Sequence, residues 1–256
     1  MHKRFWFILA LICALYLAFW GAMLVTTATY TTPTEVLKVL NSREIRYATV
    51  LSVISCTITA LISLMIAVPV GYLMSRTRFR GHSLVDAALD IPIVLPPMVV
   101  GICLLIFFQT KAGALIEKII PFTYSIAGVV LAQFVIAAAF AIRSMRGVFD
   151  HLSSRPEDVA MTLGCSRWQA LWHVTLPAAR RGMFASGSIA WARSLGEFGP
   201  VLVFAGATRM KTEVLPTSVW LSWSVGDLEQ GVAVSLLMIV ISMVVLVGVR
   251  MAGEKV

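Results

Sequence analysis

The hydropathy of this chain changes in long blocks, not in short alternations. Apolar runs recur along it with shorter polar stretches between them. A helix needs about 20 apolar residues to cross about 30 Å of hydrocarbon, and the blocks have that length. They predict six spans, at residues 5–26, 47–75, 87–108, 124–142, 182–203 and 229–249. The expected fold class is all-α, a polytopic membrane protein with six transmembrane helices. The second block is long and holds Pro69, which predicts tilt or a kink. The third carries Pro92, Pro96 and Pro97, which predict an irregular start. The fifth places Arg193 and Glu197 near its middle. The first run, Phe5 to Val25, is too long for the apolar part of a signal peptide, and no small-x-small cleavage site follows it.

Composition agrees with the pattern. The 256 residues are 59% hydrophobic and 13% charged, against about 25% charged in a soluble domain. The formal net charge is +8, and its distribution matters more than its sum. An N-terminus in the cytosol places residues 76–86, 143–181 and 250–256 on the same side. These segments and the first turn hold 13 of the 21 lysines and arginines, from Lys3 and Arg4 to Arg250 and Lys255; the outer loops hold 7. Basic loops stay inside, so both termini are expected in the cytoplasm of a prokaryotic cell, with the chain in its inner membrane. The basic residues then set topology, and a nucleic-acid partner is not expected. Cys13, Cys56, Cys103 and Cys165 form no Cys-x-x-Cys pair and read as small hydrophobes.

The longest polar interruption, residues 143–181, falls between the fourth and fifth spans. Ser154 and Glu157 have the spacing of a capping box, with Pro156 suited to a first turn. A helix through Val159, Ala160 and Leu163 follows, and Gly164 is a natural left-handed stop. Ser166 and Gln169 repeat the box. A second helix is expected to carry Trp168, Leu171, Trp172 and Thr175 on one face, with Pro177 marking a break. Two readings stand open for this pair of helices. One is a hairpin lying at the headgroups; the other is a rigid knob for a soluble partner. The chain has no Gly-x-x-x-x-Gly-Lys-Ser/Thr loop, so an ATP-driven process would need another chain.

The segment Asp158-Val159-Ala160, three residues, Gly164, nine residues, Val174-x-Leu176-Pro177 resembles the EAA motif of permease subunits of ATP-binding-cassette importers. Asp158, Val159 and Val174 are mild departures from its Glu, Ala and Ile. Further resemblance, to molybdate, tungstate and sulfate permeases, lies in Ile93 to Gly101, in Ala192-Arg-Ser-Leu-Gly-Glu-Phe-Gly199 and in Phe204-Ala-Gly206. Thr212, Leu215, Pro216 and Gly226-Asp-Leu-Glu229 fit the molybdate and tungstate members best, with sulfate the alternative.

The resemblance implies a coupling element at 154–177 within a permease core of residues 47–249. The core is preceded by a first helix and outer loop (1–46) and followed by a cytoplasmic tail (250–256). Glu157, Asp158, Ala160, Gly164, Leu176 and Pro177 are its implied ATPase-coupling residues. It also implies a second permease copy, two cytoplasmic ATPase subunits that bind ATP and Mg, and an extracytoplasmic binding protein. No catalytic site, cofactor or metal site is expected in this chain. His2, His82, His151 and His173 have no metal-ligand spacing.

Arg193 and Glu197 lie among small residues, Ala185 to Ala192. Charges inside a span are costly and face a partner or a watery path. An internal ion pair, a gate in an anion path, or a misplaced span all fit the sequence. Asp86 and Asp90 are expected to cap locally or to pair with Arg76 to Arg80. Two rival classes remain, a secondary transporter needing no partner and a membrane scaffold.

Overall fold

The computed structural model describes the backbone of residues 2–255; the side chains of residues 1–3, 249, 250 and 252–256 are outside the described set. The basic residues Lys3, Arg250 and Lys255, and most of the expected tail, therefore lie outside the described side chains. Twelve α-helices follow in order among the described residues. They are α1 (His2–Thr29), α2 (Pro33–Asn41), α3 (Arg43–Arg76), α4 (His82–Val94), α5 (Pro97–Gln109) and α6 (Lys111–Ile119), then α7 (Ile126–His151), α8 (Arg155–Thr162), α9 (Arg167–Ala170), α10 (Leu176–Leu195), α11 (Leu215–Ser224) and α12 (Leu228–Lys255). Wide π-helical turns occupy Leu171–Thr175 and Val201–Ala205.

The protein is an all-α, multi-pass membrane protein. Four described helices are long and apolar enough to cross a bilayer: α1, α3, α7 and α12. The pair α4–α5 makes a fifth if it is one span, although it bends by 107°. The bend sits at Leu95 and Pro96, where the proline run predicts irregularity. Pro92 and Pro97 are accommodated within α4 and the first turn of α5. Pro69 does not interrupt α3, which runs unbroken for 34 residues. The expected fifth span is not among the described helices long and apolar enough to cross, so the six expected spans reduce here to four, or five with the bent pair. The helix α10 starts six residues earlier than expected and ends at Leu195, with Gly196 as its cap.

Helix starts follow simple chemistry. The hydroxyls of Thr32, Ser42, Thr110 and Ser125 each accept from the backbone N–H three residues on, so free donors at these polar boundaries are satisfied. The short helices α2, α6 and α11 fill connections that hydropathy alone predicts as loops.

The core is built on α7, with α3 and α10 packed along it. Ala137, Ala141, Met145 and Phe149 of α7 meet Cys56, Ala60 and Ala67 of α3 and Ala179 and Ala190 of α10. Small residues allow this approach in a bilayer, where lipid is as apolar as leucine and close packing provides the attraction. At Gly71 a methyl group would sit 2.9 Å from the backbone nitrogen of Arg146, so only glycine permits the observed contact. The side of α3 within this core carries Ser52, Ser55, Thr59 and Ser63, all buried. Thr59 donates to the Gln133 side-chain oxygen on α7 at 3.2 Å. By contrast, α1 has no buried residue in its apolar stretch.

Asp86 and Asp90 on α4 pair across to α7, and not with residues 76–80. Asp86 meets Arg146, and Asp90 accepts from Arg143 at 2.6 Å. The reason is tertiary: α4 folds back along α7, and this aligns its two acids with two arginines about one turn apart.

Candidate functional site: the element between α7 and α10

The chain leaves α7 at His151 and turns through residues 152–154 into α8. Ser154 makes no side-chain cap bond, which corrects the first capping-box expectation. The Glu157 carboxylate has better donors elsewhere. It accepts from the Tyr72 hydroxyl at 2.9 Å and from the Arg76 guanidinium at 3.0 and 3.2 Å. Glu157 is buried, with 7% of its surface exposed.

The corner after α8 is as the residues predict. Gly164 takes φ +95°, a left-handed conformation that side chains disfavour. Its N–H bonds to Met161 O at 3.1 Å, and the Cys165 N–H to Ala160 O at 3.0 Å. This pair of bonds is a Schellman motif, which satisfies the last carbonyls of the helix. The second capping box is present: Ser166 N–H donates to the Gln169 side chain at 2.8 Å, and Gln169 N–H to Ser166 Oγ at 3.3 Å.

Two expectations for the second helix are corrected. Trp168 and Trp172 are exposed with their rings 6.0 Å apart, whereas Leu171 and Thr175 are buried, so the four do not share one face. Positions four apart lie together, but residues 171 and 172 are about 100° apart around a helix. Pro177 is also no break. It sits in the first turn of α10, and the backbone passes from α9 through the π-helical turn into α10. The Leu176 N–H reaches back five residues to Leu171 O. The wide turn absorbs a residue with no N–H of its own.

The element thus has two faces. Glu157 and Ala160 turn inward, and Leu176 packs against the α3–α7–α10 core. Asp158, Gly164 and Pro177 are exposed. So are the apolar side chains of Val159, Leu163, Trp168 and Trp172, the last two in contact with each other; Leu163 is 81% exposed. Arg155 and Arg167 are exposed as well.

Arg193 and Glu197 come together at the far end of α10. Arg193 lies in its last turn, and Glu197 lies just beyond its cap. Their nearest nitrogen and oxygen are 2.8 Å apart, yet the Glu197 oxygen gains no well-aligned hydrogen bond. Glu197 is 1% exposed, Arg193 is partly exposed, and the guanidinium also stands 5.2 Å over the Phe140 ring. The structure therefore brings these two predicted residues together and separates them from the element at 154–177.

Sequence reasoning missed Tyr72 and Arg76. An arginine at the end of a long span reads as a topology signal, and nothing local ties it to position 157. It also missed Glu213, buried in the connection before α11, where the Ser218 hydroxyl donates to it at 2.8 Å. Burial pushes the Glu213 carboxyl above the ordinary carboxylate range. Among the described residues, no group of three or more histidine, cysteine or acidic side chains is arranged to hold a metal.

The model of binding-protein-dependent transport system inner membrane components matches residues 67–253, and the chain belongs to this family of ATP-binding-cassette transporter permeases. It is 34% identical over 204 residues to a probable molybdenum ABC transporter permease protein of Haloferax volcanii, covering 80% of this chain and 74% of that one. It is 40% identical over 154 residues to the molybdate/tungstate transport system permease protein WtpB of Pyrococcus abyssi, covering 60% of this chain and 58% of that one. In fold it is similar to a chain in a bacterial ABC transporter that imports the acidic polysaccharide alginate, with a TM-score of 0.76 at 14% identity over 99% of this chain and 97% of that one.

Proposed function

We propose that this chain is the permease subunit of an ATP-driven importer of molybdate or tungstate. In this reading α10, with the π-helical turn after it, completes six crossings, and both termini lie in the cytoplasm. The element 154–177 is then cytoplasmic and docks on a separate ATPase that binds ATP and Mg. The observation that carries the reading is the form of this element. A Schellman corner and a capping box stiffen it, its inner face is tied to the core, and its outer face presents Asp158, Gly164 and two tryptophans. A membrane-lying hairpin explains the tryptophans but not the buried ionic tie. The relatives supply the substrate class, and sulfate remains the second substrate to test because residues 93–101 resemble sulfate permeases as well.

Transport proceeds by alternating access between two permease copies around one path. An extracytoplasmic binding protein delivers the oxyanion and supplies its selectivity. ATP-driven closure of two ATPase subunits moves the docked elements. A rigid element transmits that displacement, whereas a compliant one would absorb it. Arg193 and Glu197 act first as an internal pair that fixes the end of α10. The partial exposure of Arg193 supports a second reading, in which it lines the anion path.

The test is association. Gly164→Asp is expected to abolish co-purification with the ATPase and leave membrane insertion intact. A normal complex in that variant removes the docking assignment. Uptake into proteoliposomes holding the binding protein and ATPase, with molybdate, tungstate and sulfate in competition, identifies the substrate.

A further inference from the structure

The buried tie at Glu157 joins three helices through one arginine. Arg76, the last residue of α3, donates Nε and Nη2 to Glu157 Oε1 at 3.2 and 3.0 Å. Its Nη1 donates to Phe149 O at 2.9 Å, and Nη2 also to Leu152 O at 3.0 Å. Tyr72, one turn back on α3, donates to Glu157 Oε2 at 2.9 Å and packs edge-on against the Phe149 ring. The Arg76 and Glu157 side chains are only 16% and 9% exposed.

Exposed ion pairs contribute little, because water screens them and two long side chains must be ordered. Here most of the water is gone, and the planar guanidinium makes four hydrogen bonds with its five N–H groups. The last carbonyls of α7 carry partial negative charge, which holds the arginine in place even before Glu157 arrives. Covalently, α8 joins α7 only through residues 152–154, without a side-chain cap at Ser154. The ionic tie stiffens this joint. On the other side, the π-helical turn joins the element to α10 without a break.

We propose that Arg76 and Tyr72 are positioning residues of the transport cycle. They hold Glu157 so that movement of α8 passes into α3 and α7 together, and not through α10 alone. The inference rests on reading residues 154–177 as the ATPase dock. It assigns Glu157 to the permease side of that joint and leaves Asp158 to the ATPase side.

The experiment uses the whole complex, permease with its ATPase and binding protein, in proteoliposomes, with molybdate uptake and ATP hydrolysis measured in parallel. Glu157→Gln keeps the volume and removes the charge. The expected result is a complex assembled in wild-type amount whose molybdate transported per ATP falls about tenfold, a usual size for coupling between sites. Tyr72→Phe removes one donor, and its ratio is expected to fall about threefold. A merely structural role would lower the amount of complex and leave the ratio unchanged; that outcome overturns the proposal. Loss of the ATPase from a Glu157→Gln permease that still inserts and folds also overturns it, since Glu157 would then belong to the docking face. Where Glu157→Gln fails to insert, the Tyr72→Phe ratio decides. Gly164→Asp separates the two levels: if that variant keeps its ATPase, the docking reading itself fails, whatever the ratios.

Discussion

Gly164 offers a test in which one physical term stands almost alone. Its φ of +95° is one that an L side chain rarely adopts, and a Cβ placed there would meet nothing within 4 Å. Gly164→Ala therefore adds no clash. It adds backbone strain of about 1–2 kcal/mol, less about 0.4–1 kcal/mol because alanine also narrows the unfolded ensemble. Roughly 1 kcal/mol remains, directed at the two bonds that close the corner, Gly164 N–H to Met161 O and Cys165 N–H to Ala160 O. Asparagine tolerates the left-handed region, so Gly164→Asn is expected to lose much less. Hydrogen exchange followed by mass spectrometry reads the corner directly, on peptides spanning residues 158–170 of the purified permease. Exchange in Gly164→Ala is expected to be about fivefold faster, with Gly164→Asn near the wild type. Equal rates for alanine and glycine, or asparagine as fast as alanine, would refute the strain argument and with it the stiffness of the element.

Two more predictions follow from buried carboxylates. Arg193→Ala leaves Glu197 buried without its cation and is expected to destabilise the detergent-solubilised permease by about 3–5 kcal/mol; Arg193→Ala with Glu197→Ala is expected to recover much of that, and a double variant no better than the single shows that the pair is not coupled. Burial raises the Glu213 carboxyl, so the folded state binds its proton more tightly than the unfolded one. That contribution is fully present below the ordinary carboxylate pKa and is lost as pH rises through the raised one. Thermal stability should therefore decline over that interval, and Glu213→Gln should flatten the decline; an unchanged slope means that Glu213 is not the group responsible.

The features readable in the sequence were those fixed by neighbours a few residues apart. The apolar blocks marked the long helices because 1.5 Å per residue and the thickness of a bilayer leave little choice. Gly164 marked a corner because its conformation is local, and Ser166 with Gln169 marked a cap because both partners lie within one turn. The spacing from Asp158 to Pro177 is local too, and its resemblance to the EAA motif is what implied the proposed dock at 154–177. Ser154 and Glu157 had the same local signature, and there it misled. The carboxylate of Glu157 meets a guanidinium and a hydroxyl from α3, some 80 positions earlier, and a charged fork outcompetes a single backbone N–H.

The sequence by itself determined that this chain lives in a membrane, where its four longest apolar helices run, and where a polar segment interrupts them. Local conformational preference and hydropathy suffice for these, since each depends on residues close in the chain. Only the tertiary structure decided that α4 and α5 bend apart by 107°, that Asp86 and Asp90 answer to α7, and that the tryptophans of the element face outward. Only it joined Arg76 to Glu157. Those outcomes depend on which helices lie side by side, and in a bilayer close packing and the pairing of buried charge settle that; of them only the bend left a local trace, in the prolines at 92, 96 and 97.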